Sequence, residues 1–146
     1  MFRGNAAAKV DQKGRLKLPS RFRSVIPDEY GRRFFVTSLK GDCAWIYPLE
    51  AWRAVERRVA AAPQSTPAIQ KFKRNVNFYG HEAEIDGADR ILLPAVLRER
   101  AAVHGDVFVM GADDHLEVWN RDAFDAALKS HALDDADLAV LASFNI

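Results

Sequence analysis

A stretch of fourteen residues in this chain recurs in altered form. The first copy is Val10-Asp11-Gln12-Lys13-Gly14-Arg15-Leu16-Lys17-Leu18-Pro19-Ser20-Arg21-Phe22-Arg23. The second is Ile85-Asp86-Gly87-Ala88-Asp89-Arg90-Ile91-Leu92-Leu93-Pro94-Ala95-Val96-Leu97-Arg98, at a constant offset of 75. Asp, Arg, Pro and the final Arg coincide, and the positions 10/85, 16/91, 18/93 and 22/97 match in apolar character. The unit reads as strand, tight loop, strand, short helix. Asp accepts hydrogen bonds from nearby backbone amides, and Gly14 permits positive φ. Leu16 and Leu18 alternate with Arg15 and Lys17, so one face is apolar and the other cationic.

Two such units constrain the architecture. A repeat near 75 residues is too long for a solenoid, and there are only two copies. Short hairpins with one apolar face need cover, which the other copy supplies. The expectation is an α+β fold of two similar halves facing each other across a pseudo-twofold axis.

The rest of the chain fits two rounds of one plan. Pro19 ends a strand and Ser20 is placed to cap a short helix through about Ile26. Phe34–Leu39 and Ala44–Tyr47 form a strand pair around Lys40-Gly41-Asp42. Leu49, Trp52, Val55 and Val59 have helical spacing. After the short linker Ala62–Pro67 comes a helix over Ala68–Asn77, with Lys71, Lys73 and Arg74 off its apolar face. Phe78-Tyr79-Gly80-His81 resembles Phe2-Arg3-Gly4-Asn5. A short helix then runs to about His104-Gly105, and Val107–Met110 and Leu116–Trp119 match the earlier strand pair. Asn120 caps a helix carrying Phe124 and Leu128. An acidic-capped helix over Asp134–Leu141 has no counterpart in the first half, and Ser143–Ile146 is a loose tail.

Charge is divided between the halves. Residues 1–75 hold 16 Lys+Arg against 6 Asp+Glu, whereas residues 76–146 hold 5 against 14. The asymmetry points to a polyanion partner for the first half, or to attraction between halves within or between chains. No apolar run reaches membrane-spanning length. The beginning Met1-Phe2-Arg3-Gly4-Asn5 lacks a secretory leader, and the single cysteine, Cys43, fits a reducing compartment.

Catalytic signatures are weak. His81, His104, His115 and His131 form no His-x-x-x-His pair, and there is no Cys-x-x-Cys. Cys43 and His115 occupy equivalent hairpin turns and could approach each other, but no oxyanion-forming glycine motif accompanies them. Asp113 and Asp114 read as a turn. No phosphate-cradling loop is present. The chain is read as a non-enzyme without metal or cofactor.

The chain resembles the MraZ family, which carries two tandem SpoVT-AbrB (swapped-hairpin) units. The residues that carry the resemblance are Met1-Phe2-Arg3-Gly4, Asp11–Arg15, Asp86–Arg90, the Leu-x-Leu-Pro ending at Pro19, Tyr47-Pro48-Leu49, Trp52, Gly80-His81 and Leu116–Trp119. It implies β-barrel halves with peripheral helices, and a cytoplasmic, nucleoid-associated DNA-binding protein. It further implies a ring-like homo-oligomer on repeated promoter sites of the division and cell-wall cluster, usually repressing it. On this basis the chain divides into repeat 1 (1–62), a connecting helix (63–77), repeat 2 (78–131) and a C-terminal helix and tail (132–146).

The candidate DNA contacts are Arg15, Lys13, Lys17 and Lys9, around one turn, with Arg3 joining if the N-terminus runs alongside. Arg15 can meet a base or a pair of phosphates, and the lysines meet phosphates. Asp11, Gly14, Asp86 and Arg90 are read as turn or interface residues. The second loop keeps the scaffold and loses most of its charge, because Gly87, Ala88 and Leu92 replace Gln12, Lys13 and Lys17. One loop alone gives salt-sensitive, non-specific binding of about 10⁻⁴–10⁻⁶ M. Specific regulation needs several loops together. The competing reading is an antitoxin-like or scaffold protein of the same fold, whose basic half binds an acidic protein.

Overall fold

Strand-forming runs and proline stops set the order of elements along the chain. The structure, a computed structural model, describes residues 1–146. The first repeat contains β1 (Asn5–Val10), β2 (Arg15–Lys17), α1 (Ser20–Arg23), β3 (Arg33–Thr37), β4 (Ala44–Pro48) and α2 (Leu49–Ala61). Then come α3 (Pro67–Phe78), β5 (His81–Glu84), β6 (Arg90–Leu92), α4 (Ala95–Arg100), β7 (Gly105–Ala112), β8 (His115–Asn120), α5 (Arg121–Ser130) and α6 (Asp135–Ser143).

All eight strands join one antiparallel sheet in the order β5-β3-β4-β8-β7-β1-β2-β6. The end strands β5 and β6 are consecutive in the chain. Asp86 N–H donates to the Arg90 carbonyl at 3.0 Å, nearly closing the barrel. Exchanging β1 with β5, β2 with β6, β3 with β7 and β4 with β8 reproduces the same circular order. The expected pseudo-twofold relation is therefore present. The Leu16–Ile91 pair lies on its axis, because those residues are themselves equivalent and face each other.

The halves are interleaved. β1 pairs with β7 of the other repeat over six positions, and β5 pairs with β3. The cover that each hairpin needs comes from curling one continuous sheet, not from a second sheet. The result is one core cluster of 22 buried residues running from Phe2 to Val118, so neither repeat owns a core. Leu16, Leu18, Ile91, Leu93 and Leu97 sit in it fully buried. A second cluster forms where Trp52 of α2 stacks on Phe35 and meets Val76 of α3.

Several local expectations change. Ser20 is the first helical residue rather than the cap; Pro19 is the N-cap and no side chain caps α1. That helix ends at Arg23, and α4 ends at Arg100, both shorter than the apolar pattern suggests. Phe78 is not the counterpart of Phe2. It closes α3 and is 56% exposed, whereas Tyr79 enters the core. The helix period persists to Phe78, and helical pitch turns that side chain outward. Asn120 does cap α5, accepting from Asp122 N and Ala123 N at 3.0 and 3.2 Å. Asp134 caps α6 in a reciprocal box with Asp137.

Candidate nucleic-acid interface

Asp11 organises the first loop. Its Oδ1 accepts the backbone N–H groups of Lys13 and Arg15 at 2.9 Å, and its Oδ2 accepts Arg15 Nε at 2.8 Å. Asp86 repeats this with Ala88 N, Arg90 N and Arg90 Nε, all at 2.9 Å. Each guanidinium uses only Nε on its loop, so the terminal nitrogens of Arg15 and Arg90 have no protein partner. The pairing that locks the turn therefore orients the guanidinium and leaves its outer edge open. Both roles of the Asp–Arg pair, lock and contact, are compatible in one geometry.

The fourth loop position takes positive φ in both copies, +82° at Gly14 and +57° at Asp89. Aspartate tolerates this region better than most residues. The loops also brace each other. Leu18 N–H donates to the Asp89 carbonyl and Leu93 N–H to the Gly14 carbonyl, both at 2.8 Å. Arg23 Nε lies 3.4 Å from Asp89 Oδ1, while its counterpart Arg98 lies over Gly14. A Cβ on Gly14 would come within 2.5 Å of the Arg98 guanidinium, whereas one on Gly87 meets nothing. Gly14→Ala is expected to lower stability by about 1–2 kcal/mol through backbone strain, with Arg98 displaced. Gly87→Ala should stay within about 0.5 kcal/mol. Chemical denaturation of the two variants checks the contrast.

Lys9, Arg15, Lys17 and Arg90 line one open groove together with Asp11 and Asp106. Lys17 stands directly opposite Arg90 in the β2–β6 pair, and Arg15 stands opposite Leu92. Lys9 is in register with Asp106. Lys13 is exposed at the loop tip. Arg3 is not brought to this group. It sits beyond the other end of β1, beside the hairpin where Phe2 N–H donates to the Asp113 carbonyl at 2.8 Å. Lys9 is six residue steps further along the chain, about 20 Å in extended backbone. Arg90, read from sequence as a turn residue, lies in the cationic groove as well. The offset of 75 makes Arg15 and Arg90 equivalent, but only the observed Leu16–Ile91 register places Lys17 opposite Arg90.

The β2–β6 pair is thus a two-stranded ribbon whose outer face carries Arg15, Lys17, Arg90 and Leu92. A B-DNA major groove admits such a ribbon.

The carboxyls of Asp11 and Asp86 are held below the usual carboxylate range, first by the backbone N–H groups of Arg15 and Arg90 respectively. A folded pKa below the unfolded value means stability present above about pH 4 and lost as pH falls through the folded value. Thermal melts should show the double variant Asp11→Asn with Asp86→Asn losing less stability than wild type below pH 4.

Cys43 and His115 do not approach each other. The register Trp45↔Glu117 puts Cys43 opposite Trp119 and His115 opposite Tyr47. That is four residues apart along the pair, about 13 Å. Burial pushes the Cys43 thiol up, the reverse of an activated nucleophile. His115 stacks on Tyr47 with centroids 4.5 Å apart, and its Nδ1 lies 2.7 Å from Asp114. Trp45 packs against the edges of this pair, with centroids 6.1 Å from Tyr47 and 4.9 Å from His115. No helix is long and apolar enough to cross a membrane.

One barrel interleaved from two hairpin repeats, with each Asp-x-x-x-Arg loop braced by the other, defines the swapped-hairpin class. A family model described as "MraZ protein, putative antitoxin-like" matches residues 1–75 and 79–139. The chain is 46% identical over 146 residues, all of both chains, to the transcriptional regulator MraZ of Acidobacterium capsulatum. It is 38% identical to that of Koribacter versatilis over 147 residues, again the whole of both. To that of Chromobacterium violaceum it is 36% identical over 140 residues, 95% of each. The chain belongs to the MraZ family, whose named relatives are regulators rather than enzymes.

Proposed function

We propose that the protein is a DNA-binding transcriptional regulator that holds duplex DNA with the β2–β6 ribbon. The observation that carries this reading is the ribbon's outer face, where Arg15 and Arg90 keep their terminal nitrogens open beside Lys17 and Lys9. Lys13 extends the set at the loop tip. Relatives named as transcriptional regulators support it. Asp11 and Asp86 position the arginines, and Gly14 lets the first loop turn.

The finer proposal is repression of the division and cell-wall cluster, including the protein's own gene, in the cytoplasm at the nucleoid. A single ribbon offers about four phosphate contacts, enough only for non-specific affinity. A ring-like homo-oligomer presents several ribbons to repeated promoter sites, so effective concentration supplies the rest. Neighbouring subunits of a ring present their ribbons in the same sense, matching direct repeats.

Gel retardation of the cluster promoter tests the reading. Wild type should shift the repeat-containing fragment more tightly than a scrambled one. Arg15→Ala should need roughly 5- to 150-fold more protein, the effect of removing one bidentate pair worth about 1–3 kcal/mol. Equal binding by a correctly folded variant would sink the site assignment. The antitoxin-like or scaffold reading would gain if wild type failed to shift any duplex.

A further inference from the structure

α6 is an apolar helix with nothing to pack on. Leu138 is 51% exposed, Val140 57%, and no residue of the helix is buried. The apolar residues continue past it to Phe144 and Ile146, both largely exposed. Its other end is acidic, with Asp134, Asp135 and Asp137 in the cap and first turn and no cation in the helix. Exposed apolar surface of this extent, joined to one sign of charge, is a docking feature.

A complementary surface exists in the first repeat. α2 and α3 enclose a groove of about 320 Å³ floored by Trp52, Val55, Val59 and Phe72, and no residue of α6 lines it. These two helices carry six Lys+Arg (Arg53, Arg57, Arg58, Lys71, Lys73, Arg74) against Glu50 and Glu56. Arg53 pairs with Glu50, which leaves the positive excess on the remaining five. The groove beside α5, lined by Trp45, Phe124 and Leu128, has mixed charge at its rim from Lys40, Asp42 and Glu117. The first groove is itself lined by one cation, Lys73, and one anion, Glu56, inside that basic surround, whereas the second has one cation against two anions, so an acidic helix is favoured at the first. Nine helical residues span about 13 Å, within the length of α2 at about 20 Å.

We infer that α6 of one subunit docks in the α2–α3 groove of a second copy of this chain. The helix and the groove are different patches, so the contact is heterologous, and repetition closes a ring if the rotation allows. The division of charge between the two halves then has a use: the acidic half of each subunit meets the basic half of the next. The β2–β6 ribbon takes no part in the contact and stays open. The inference deepens the ring reading above and rests on it.

Sedimentation and native mass spectrometry of the full chain test it. Leu138→Asp with Val140→Asp changes only exposed side chains, so the barrel melt should be unchanged. The assembly should fall to single chains, with a dissociation constant raised about a hundredfold or more. Lys73→Glu should weaken assembly, and adding Asp135→Lys should restore it. In mixtures, a chain carrying Gln64→Cys should form a disulfide with a chain carrying Leu138→Cys. An unchanged assembly in the double Asp variant overturns the contact while leaving DNA binding intact. So does cross-linking of Leu138→Cys to Leu39→Cys beside α5, or within one chain. A wild-type monomer overturns the contact and the ring together; the gel-retardation test of the ribbon remains separate.

Discussion

A fragment ending at Ala62 is expected not to fold as a monomer. In the whole chain β1 hydrogen-bonds along its full length to β7, β2 to β6, β3 to β5 and β4 to β8. Cutting after residue 62 removes every one of those partners. What remains is the β3–β4 pair and a β1–β2 hairpin joined at the single pair Val10↔Leu16. Isolated hairpins are marginal in water. Leu16, Leu18 and Phe22 would also be deprived of Ile91, Leu93 and Leu97 from the shared core. Two fragments could rebuild the barrel only by placing Arg15 of each against Lys17 of the other, and like charges directly opposite are destabilising. In the intact chain Leu92 stands opposite Arg15, which removes one such clash. The lower charge of the second loop therefore has a structural consequence. Circular dichroism of the fragment should show no cooperative melt, while the full chain melts in one transition. A fragment that melts cooperatively as a monomer would contradict the interleaved core.

The second large effect is on DNA. Arg15→Ala with Lys17→Ala removes two cations from each ribbon and leaves the barrel standing. Lys17 is exposed, and the Asp11–Arg15 pair is open enough to solvent for water and salt to screen it. Each phosphate left without its cation should lower the slope of log K against log salt by about 0.9, so the pair lowers it by about 2 per engaged ribbon. Because the ring multiplies ribbons, the drop in affinity should exceed that of one site many-fold. Arg90→Ala should lower the slope by about 1 as well, since Arg90 shares the groove. An unchanged slope in the double variant would show that these residues meet no phosphate.

Much of this was legible in the doubled motif. Apolar alternation placed Leu16, Leu18, Ile91 and Leu93 inward, and all four are buried. The Asp-x-x-x-Arg spacing anticipated both loops, with positive φ at Gly14. Alternation reports which face a residue takes, but not which strand lies beside it. For that reason the exchange of β1 and β5 between repeats was not visible, nor was the nearness of Arg90 to Lys17. The distance of Arg3 from the groove follows from the same exchange, because β1 runs along β7 toward the Asp113 turn. Cys43 and His115 share a place in the repeat, yet equivalence under a twofold axis does not mean contact. Phe78 and Tyr79 differ by one helical step, which local pattern could not resolve where α3 runs into β5. The exposure of α6 has no sequence signal of its own, since an apolar helix reads as core whether or not a neighbour covers it.

Lysine acetylation footprinting with and without promoter duplex bears most directly on the cationic ribbon. Lys9, Lys13 and Lys17 should become protected by DNA, while Lys40 and Lys129 keep their reactivity. Protection confined to Lys71 and Lys73, with the three loop lysines still reactive, would contradict it.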